Sequence, residues 1–236
     1  MILLLASAKR GTVFNQTPFF LEHDRFSLNS SSMRFGTKRV QAIVKSLRNF
    51  SRLDEAEIKA VNIHEGIDST LMILAHRLHG KHCNYPEITV IKKYGKLPNV
   101  TCCPSKLNQV FMNLLTNAID AIEDLVFRNH CSILSSKITQ QKSSQFSEPI
   151  ICITTEVIDD DWVEIIIADN GSGIEEALQN KIFNPFFTTK PVGKGTGLGL
   201  SISYQIVVEE HGGYLSYNSI PMKETKFVMK IPINKR

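Results

Sequence analysis

Hydrophobic and polar positions alternate along this chain with two periods. From residue 35 to about 53, Val40, Ile43, Val44, Leu47 and Phe50 recur at helical spacing, with Lys38, Arg39, Lys45 and Arg48 between them. That is a helix with one apolar stripe, and such a stripe needs a partner surface. Residues 54 to 61 are charged and read as a linker. Asn62 is a plausible N-cap for a second helix to about residue 78, with Ile67, Leu71, Leu74 and Leu78 on one face. Gly80 and Pro86 end it. The β-branched run at 87–94 predicts a strand, and 99–103 a short second one. Pro104 or Ser105 is expected to start a long helix running from 106 to about 127, its buried faces carrying Leu107, Val110, Phe111, Leu114, Leu115 and Ile119.

Residues 128–149 are rich in Ser, Gln and Lys and read as a mobile surface insertion. Two strands, 150–157 and 162–168, flank Asp159-Asp160-Asp161, a hairpin tip. The run Ile165-Ile166-Ile167 should be buried. A helix is predicted over 201–211, stopped by Gly212-Gly213, and strands 214–219 and 225–231 form a closing hairpin. Helices and antiparallel pairs mixed in this order give an α+β chain, not a parallel doubly wound sheet.

Length changes the picture little: 236 residues hold one full domain plus a smaller element, and a 42% hydrophobic share suffices for its core. The net charge of +4 comes from dispersed Lys and Arg, which excludes a strongly basic nucleic-acid surface. The five cysteines, Cys83, Cys102, Cys103, Cys131 and Cys152, show no CxxC spacing and are expected to be reduced thiols. The apolar start, residues 1–6, is too short for a membrane span and precedes its basic pair, the wrong order for a signal peptide. A soluble, cytoplasmic protein is expected, with no membrane span. Residues 1–34 give no clear element.

Three stretches carry candidate chemistry. On the long helix, Asn113, Asn117 and Asp120 share a face at spacings of four and three. Carboxamide oxygens are hard, neutral ligands that suit Mg²⁺; a plain solvated helix face is the alternative. Asp169 ends a buried strand at the turn Asp169-Asn170-Gly171-Ser172-Gly173-Ile174. Its carboxylate could accept a hydrogen bond from an adenine amino group, with the glycines admitting the base; an ordinary turn is the alternative. Finally, Gly193, Gly195, Gly197 and Gly199 fall at every second position, with Lys194, Thr196 and Leu198 between, and lead into a helix at Leu200. Exposed N–H groups before a helix start suit phosphates; a flexible linker is the alternative. The spacing is neither the Walker pattern nor GxGxxG after a strand.

In combination these stretches resemble the ATP-binding domain of sensor histidine kinases, within the wider family that includes DNA gyrase, heat-shock chaperone ATPases and mismatch-repair ATPases. Asn113-Leu-Leu-Thr-Asn117-Ala is similar to the N box, Asp169-x-Gly171-x-Gly173 to the first glycine box, and Phe183-x-Pro185-Phe186-Phe187-Thr188-Thr189-Lys190 to the F box. Gly195-x-Gly197-Leu198-Gly199-Leu200 is similar to the second glycine box. The resemblance covers about residues 82–234, and its wording is most similar to bacterial multidomain sensor kinases of cyanobacterial type.

The resemblance implies a two-layer α/β sandwich with a mixed, mostly antiparallel sheet, preceded by a helical segment. It implies Mg²⁺ on Asn117, adenine on Asp169, and phosphates under residues 193–200. Ile174, Phe187, Thr188, Thr189 and Lys190 complete the expected nucleotide contacts; Lys190 and Lys194 are candidates for the phosphates. ATP-hydrolysing relatives carry a glutamate where Asn113 stands. An amide is a poor proton acceptor near neutral pH, so Asn113 points to phosphoryl transfer to a histidine.

The helix at 35–54 resembles the second helix of the family's dimerisation hairpin and could pair two chains as a homodimer or heterodimer. The acceptor helix should lie upstream, where His23-Asp24 has no following Asn-Pro and too little room. His64-Glu65 lies after the second helix, also without Asn-Pro. Neither is expected to be the phosphoacceptor, and the acceptor helix is expected to be missing through truncation, a split gene or a misplaced start. The expected partners are a response regulator or a histidine-bearing kinase. A non-enzymatic ATP-binding module and a serine kinase of the anti-sigma type are the alternatives.

Overall fold

The computed structural model describes residues 57–80, 87–135, 148–191 and 195–234. The apolar stripe at 35–54, residues 1–34 with His23, and Gly193 and Lys194 lie outside the described residues.

Five strands form the main sheet in the order β2-β4-β5-β7-β6, comprising β2 (Thr89–Tyr94), β4 (Ile150–Ile158), β5 (Trp162–Asp169), β6 (Tyr214–Ile220) and β7 (Glu224–Pro232). Only β2 and β4 pair in parallel; the other three pairings are antiparallel. The sheet is therefore mixed and mostly antiparallel, as expected. A second, two-stranded sheet joins β1 (Lys59–Val61) to β3 (Val100–Cys102). The predicted linker thus contains a strand. Three residues carry too little pattern to reveal pairing with a partner about forty positions away.

Period-2 alternation places the core. Ile151, Ile153 and Thr155 of β4, Val163, Ile165 and Ile167 of β5, and Phe227, Met229 and Ile231 of β7 are buried on one face. Ile166, expected to be buried with its neighbours, points to the other face and is half-exposed. Asp169 is the next residue of the buried register, paired with Ile151 on one side and Thr225 on the other. Strand geometry therefore aims its carboxylate at the core side.

Helices α1 (Ile63–Leu78) and α2 (Pro104–Ser135) cover that face. Asn62 caps α1 as expected, accepting from His64 N–H at 3.0 Å. The expected apolar face of α1 is buried, and Gly80 leaves it in the left-handed region at φ +71°. Helix α2 starts at Pro104, as expected, but runs further than expected; residues 128–135, read as the start of an insertion, continue the helix. Without a Gly or Pro in that stretch, nothing local stops it. A short α3 (Glu176–Gln179) follows the first glycine turn. Helix α4 (Gly199–Tyr204) starts two residues earlier than expected and runs on as π-helical Gln205–Glu210.

The tip between β4 and β5 holds Asp159 and Asp160 at φ +51° and +53°, a conformation that aspartate tolerates better than most residues. Cys102 and Cys152 are free thiols. Among the described residues, no helix is long and apolar enough to cross a membrane.

Candidate nucleotide site

Three stretches distant in sequence converge on residues 113–121 of α2. Asn113 Nδ2 donates to the Gly199 carbonyl at 2.9 Å and to Ser203 Oγ at 3.2 Å. Lys190 Nζ donates to Asn117 Oδ1 at 3.2 Å and also to Asp120 Oδ2. One turn on, the Ser172 N–H donates to the Ala121 carbonyl at 3.0 Å. The second glycine stretch, the Phe-Phe loop and the first glycine turn thus meet the helix in succession. Helical spacing alone predicts the shared face of Asn113, Asn117 and Asp120; the partners come from the fold.

The first glycine turn is shaped by close approach. A Cβ on Gly171 would lie 2.6 Å from the Ala121 carbonyl carbon, and one on Gly173 would lie 2.3 Å from the Ile220 carbonyl oxygen. Gly173 also sits at φ +65°. The Ile174 N–H donates to Ser219 Oγ at 2.9 Å, and the Met222 N–H to the Ser172 carbonyl at 2.7 Å. The turn is therefore wedged between α2 and the β6–β7 connection.

Asp169 is only 5% exposed. Its Oδ1 accepts the Gly171 N–H at 2.9 Å. Burial pushes its carboxyl up to about 7; the Gly171 N–H opposes this and the charge of Glu224 adds to it. A buried acceptor that already takes a neutral backbone N–H suits a further neutral donor such as an amino group.

In the Phe-Phe loop, Phe187 packs partly against the core, whereas Phe186 is 74% exposed at φ +65°. Gly197, at φ +66°, lies so close that a Cβ there would be 2.4 Å from the Phe186 carbonyl carbon. A Cβ on Gly195 would be 2.6 Å from Thr188 Oγ1, which also accepts the Lys190 N–H at 3.1 Å. Thr196 Oγ1 accepts the Leu198 N–H at 3.3 Å, and Leu200 is half-buried against the core. Thr189 is exposed in the same loop. The two motifs thus pack backbone to backbone.

Sequence reasoning missed Arg77, whose Nη2 donates to Asp120 Oδ1 at 2.6 Å and to Glu123 Oε2 at 2.7 Å. Burial works against the Arg77 charge, but the hydrogen bonds and charges of Glu123 and Asp120 outweigh it and raise the guanidinium pKa. The signal available in the sequence was the pair Asp120 and Glu123 at spacing three, two like charges that call for a cation.

His64, considered and set aside as a phosphoacceptor, stacks on Tyr94 with ring centroids 4.1 Å apart and planes within 1°. Its Nε2 is hydrogen-bonded to Thr155 Oγ1 at 2.8 Å, and burial lowers its pKa against the opposing charge of Asp68. It is a packed residue at the β2 edge.

This α+β architecture, with its mixed sheet layered on helices, is that of histidine-kinase catalytic domains. The catalytic domain of the histidine kinase ThkA superposes with a TM-score of 0.56 at 27% identity, covering 75% of this chain and 99% of that one. The family described as histidine kinase-, DNA gyrase B- and HSP90-like ATPase matches residues 103–235, more than half of the chain, and the chain belongs to it. Among curated relatives, the sensor protein TdiS of Thauera aromatica is 28% identical over 192 residues, covering 81% of this chain and 30% of that protein. The two-component sensor PprA of Pseudomonas aeruginosa is 32% identical over 200 residues, covering 83% of this chain and 19% of that protein. The chain therefore spans less than a third of the length of either relative.

Proposed function

We propose that this chain binds Mg-ATP and passes the γ-phosphoryl group to a histidine, as the catalytic part of a two-component signalling kinase. The observation that carries this is the convergence of Gly199, Lys190 and Gly171 on α2 at Asn113, Asn117 and Ala121. The buried carboxyl of Asp169 lies toward one end of this face and the oxygen and ammonium groups of Asn117, Asp120 and Lys190 toward the other, which supports adenine at the first and phosphates at the second.

In this reading Asp169 accepts from the adenine amino group, with Gly171, Gly173 and Ile174 lining the base. Gly193 to Leu200, Phe187, Thr188, Thr189 and Lys190 enclose the phosphates, with Lys194 as a further candidate. Among the described residues no group of three or more His, Cys, Asp and Glu is placed to hold a metal by itself. That fits Mg²⁺, which takes one or two protein oxygens and completes its shell with phosphates and water. Asn117 offers such an oxygen. Bound Mg²⁺ would neutralise charge on the transferred group.

Asn113 decides between transfer and hydrolysis. Its amide donates to two oxygens and offers no proton acceptor that could activate water. The acceptor imidazole nitrogen attacks the γ-phosphorus, the bond to the β–γ bridging oxygen breaks, and ADP leaves. The protein's part is positioning and charge neutralisation. The partners in this reading are a histidine-bearing kinase chain and a response regulator in the cytoplasm, with dimerisation through the helix at 35–54.

The test incubates the chain with Mg²⁺ and γ-labelled ATP, alone and with a catalytically dead kinase that keeps its acceptor histidine. Acid-labile label on the added kinase is the expected result. Label on an acid-stable hydroxyl would favour a serine kinase. No label on either, with ATP binding intact, would leave a non-enzymatic binding module.

A further inference from the structure

We propose that Arg77, on α1, is a positioning residue for the phosphate end of the site, acting through Asp120 on Lys190. This rests on the nucleotide reading above and extends it to a residue outside all four motifs.

The Asp120 carboxylate is divided between two cations. Arg77 takes Oδ1 at 2.6 Å, and Lys190 takes Oδ2. The same guanidinium nitrogen holds Glu123 at 2.7 Å. The two cations differ in freedom: the Arg77 side chain is 15% exposed, that of Lys190 34%. A planar guanidinium between two carboxylates is the fixed partner. A lysine on a flexible stem at the end of a loop is the one that can move.

This division limits the hold of Asp120 on Lys190. With Oδ1 occupied, Asp120 offers the ammonium one oxygen, and Asn117 adds a neutral one at 3.2 Å. Lys190 therefore stays over the Asn117–Asp120 face and remains able to pass to a phosphate oxygen. Without Arg77, both carboxylates lose their half-buried counter-ion. Asp120 would then bind Lys190 through either oxygen, and unbalanced negative charge would face the phosphates. Both effects weaken triphosphate binding and leave the adenine pocket at Asp169 unchanged, because Asp169 hydrogen-bonds within its own turn.

The experiment measures Mg-ATP and adenosine binding by calorimetry for the full chain, Arg77→Met, Arg77→Lys, Lys190→Met and Arg77→Met/Lys190→Met. The expected result is a rise of about tenfold in Kd for Mg-ATP in Arg77→Met, with adenosine affinity unchanged. Arg77→Lys recovers part of the loss. In the Lys190→Met background, Arg77→Met has less than about a twofold further effect, since coupled residues are non-additive. Equal losses for adenosine and Mg-ATP would overturn the proposal in favour of a purely structural clamp. So would an undiminished effect in the Lys190→Met background, or no effect at all. If Arg77→Met does not fold, Arg77→Lys carries the same comparison. Failure of the unsubstituted chain to bind either ligand would instead sink the nucleotide reading itself.

Discussion

Gly171 lies against Ala121 with no room for a side chain: a Cβ on Gly171 would approach the Ala121 Cβ to 2.7 Å. The contact joins the end of β5 to the middle of α2 and sets the distance between Asp169 and the asparagine face. Gly171→Ala is expected to cost about 1–3 kcal/mol of stability through overpacking, and to weaken ATP binding beyond what the loss of folded protein explains. Urea unfolding and calorimetry on the same preparation separate the two effects. An Ala variant as stable as the parent would mean the turn yields easily.

Asp169→Ala should weaken ATP binding by about 1.5–3 kcal/mol, the range for hydrogen bonds to charged groups. Unchanged affinity would refute the adenine contact.

The same carboxyl makes binding pH-dependent. With its pKa raised from 3.8 to about 7 by burial, Asp169 is neutral in the folded chain over a range where the unfolded chain is ionised. Its contribution to stability is therefore greatest at low pH, is lost as pH rises from 3.8 to about 7, and is constant above. Binding runs the other way, because the ionised carboxylate is the better acceptor for an amino donor. ATP affinity should fall as pH drops below about 7, by at most about tenfold per unit. Asp169→Asn should flatten that profile. A flat profile in the parent would place adenine elsewhere.

Asn113 donates to the Gly199 carbonyl and to Ser203 Oγ. Asn113→Asp keeps the shape but turns the donor into an acceptor facing the Gly199 carbonyl. Losing a good hydrogen bond and gaining a repulsive one should cost about 1–3 kcal/mol. Faster amide hydrogen exchange at the start of α4 would report it. Unchanged exchange would show that the start of α4 is held by other contacts.

His64→Ala should leave any labelling by γ-labelled ATP unchanged and cost about 0.5–1.5 kcal/mol of stability from the lost Tyr94 stack. Acid-labile label on the parent that disappears in this variant would reinstate His64 as an acceptor.

Much of this protein was legible from its sequence, because the signals concerned are local. The 3.6 and 2.0 periods located α1, α2 and the hairpins, and spacing put Asn113, Asn117 and Asp120 on one face. Asn62 identified its own helix start, and Asp159 and Asp160 their turn. Tertiary structure decided what period and spacing cannot encode. It paired Lys59–Val61 with Val100–Cys102, turned Ile166 away from the core while placing Asp169 in it, and carried α2 through residues 128–135. It also brought Arg77 of α1 to Asp120 of α2, across more than forty residues of chain. A side chain's direction follows from its own backbone, but its partner depends on how separate elements pack, and only the folded chain sets that.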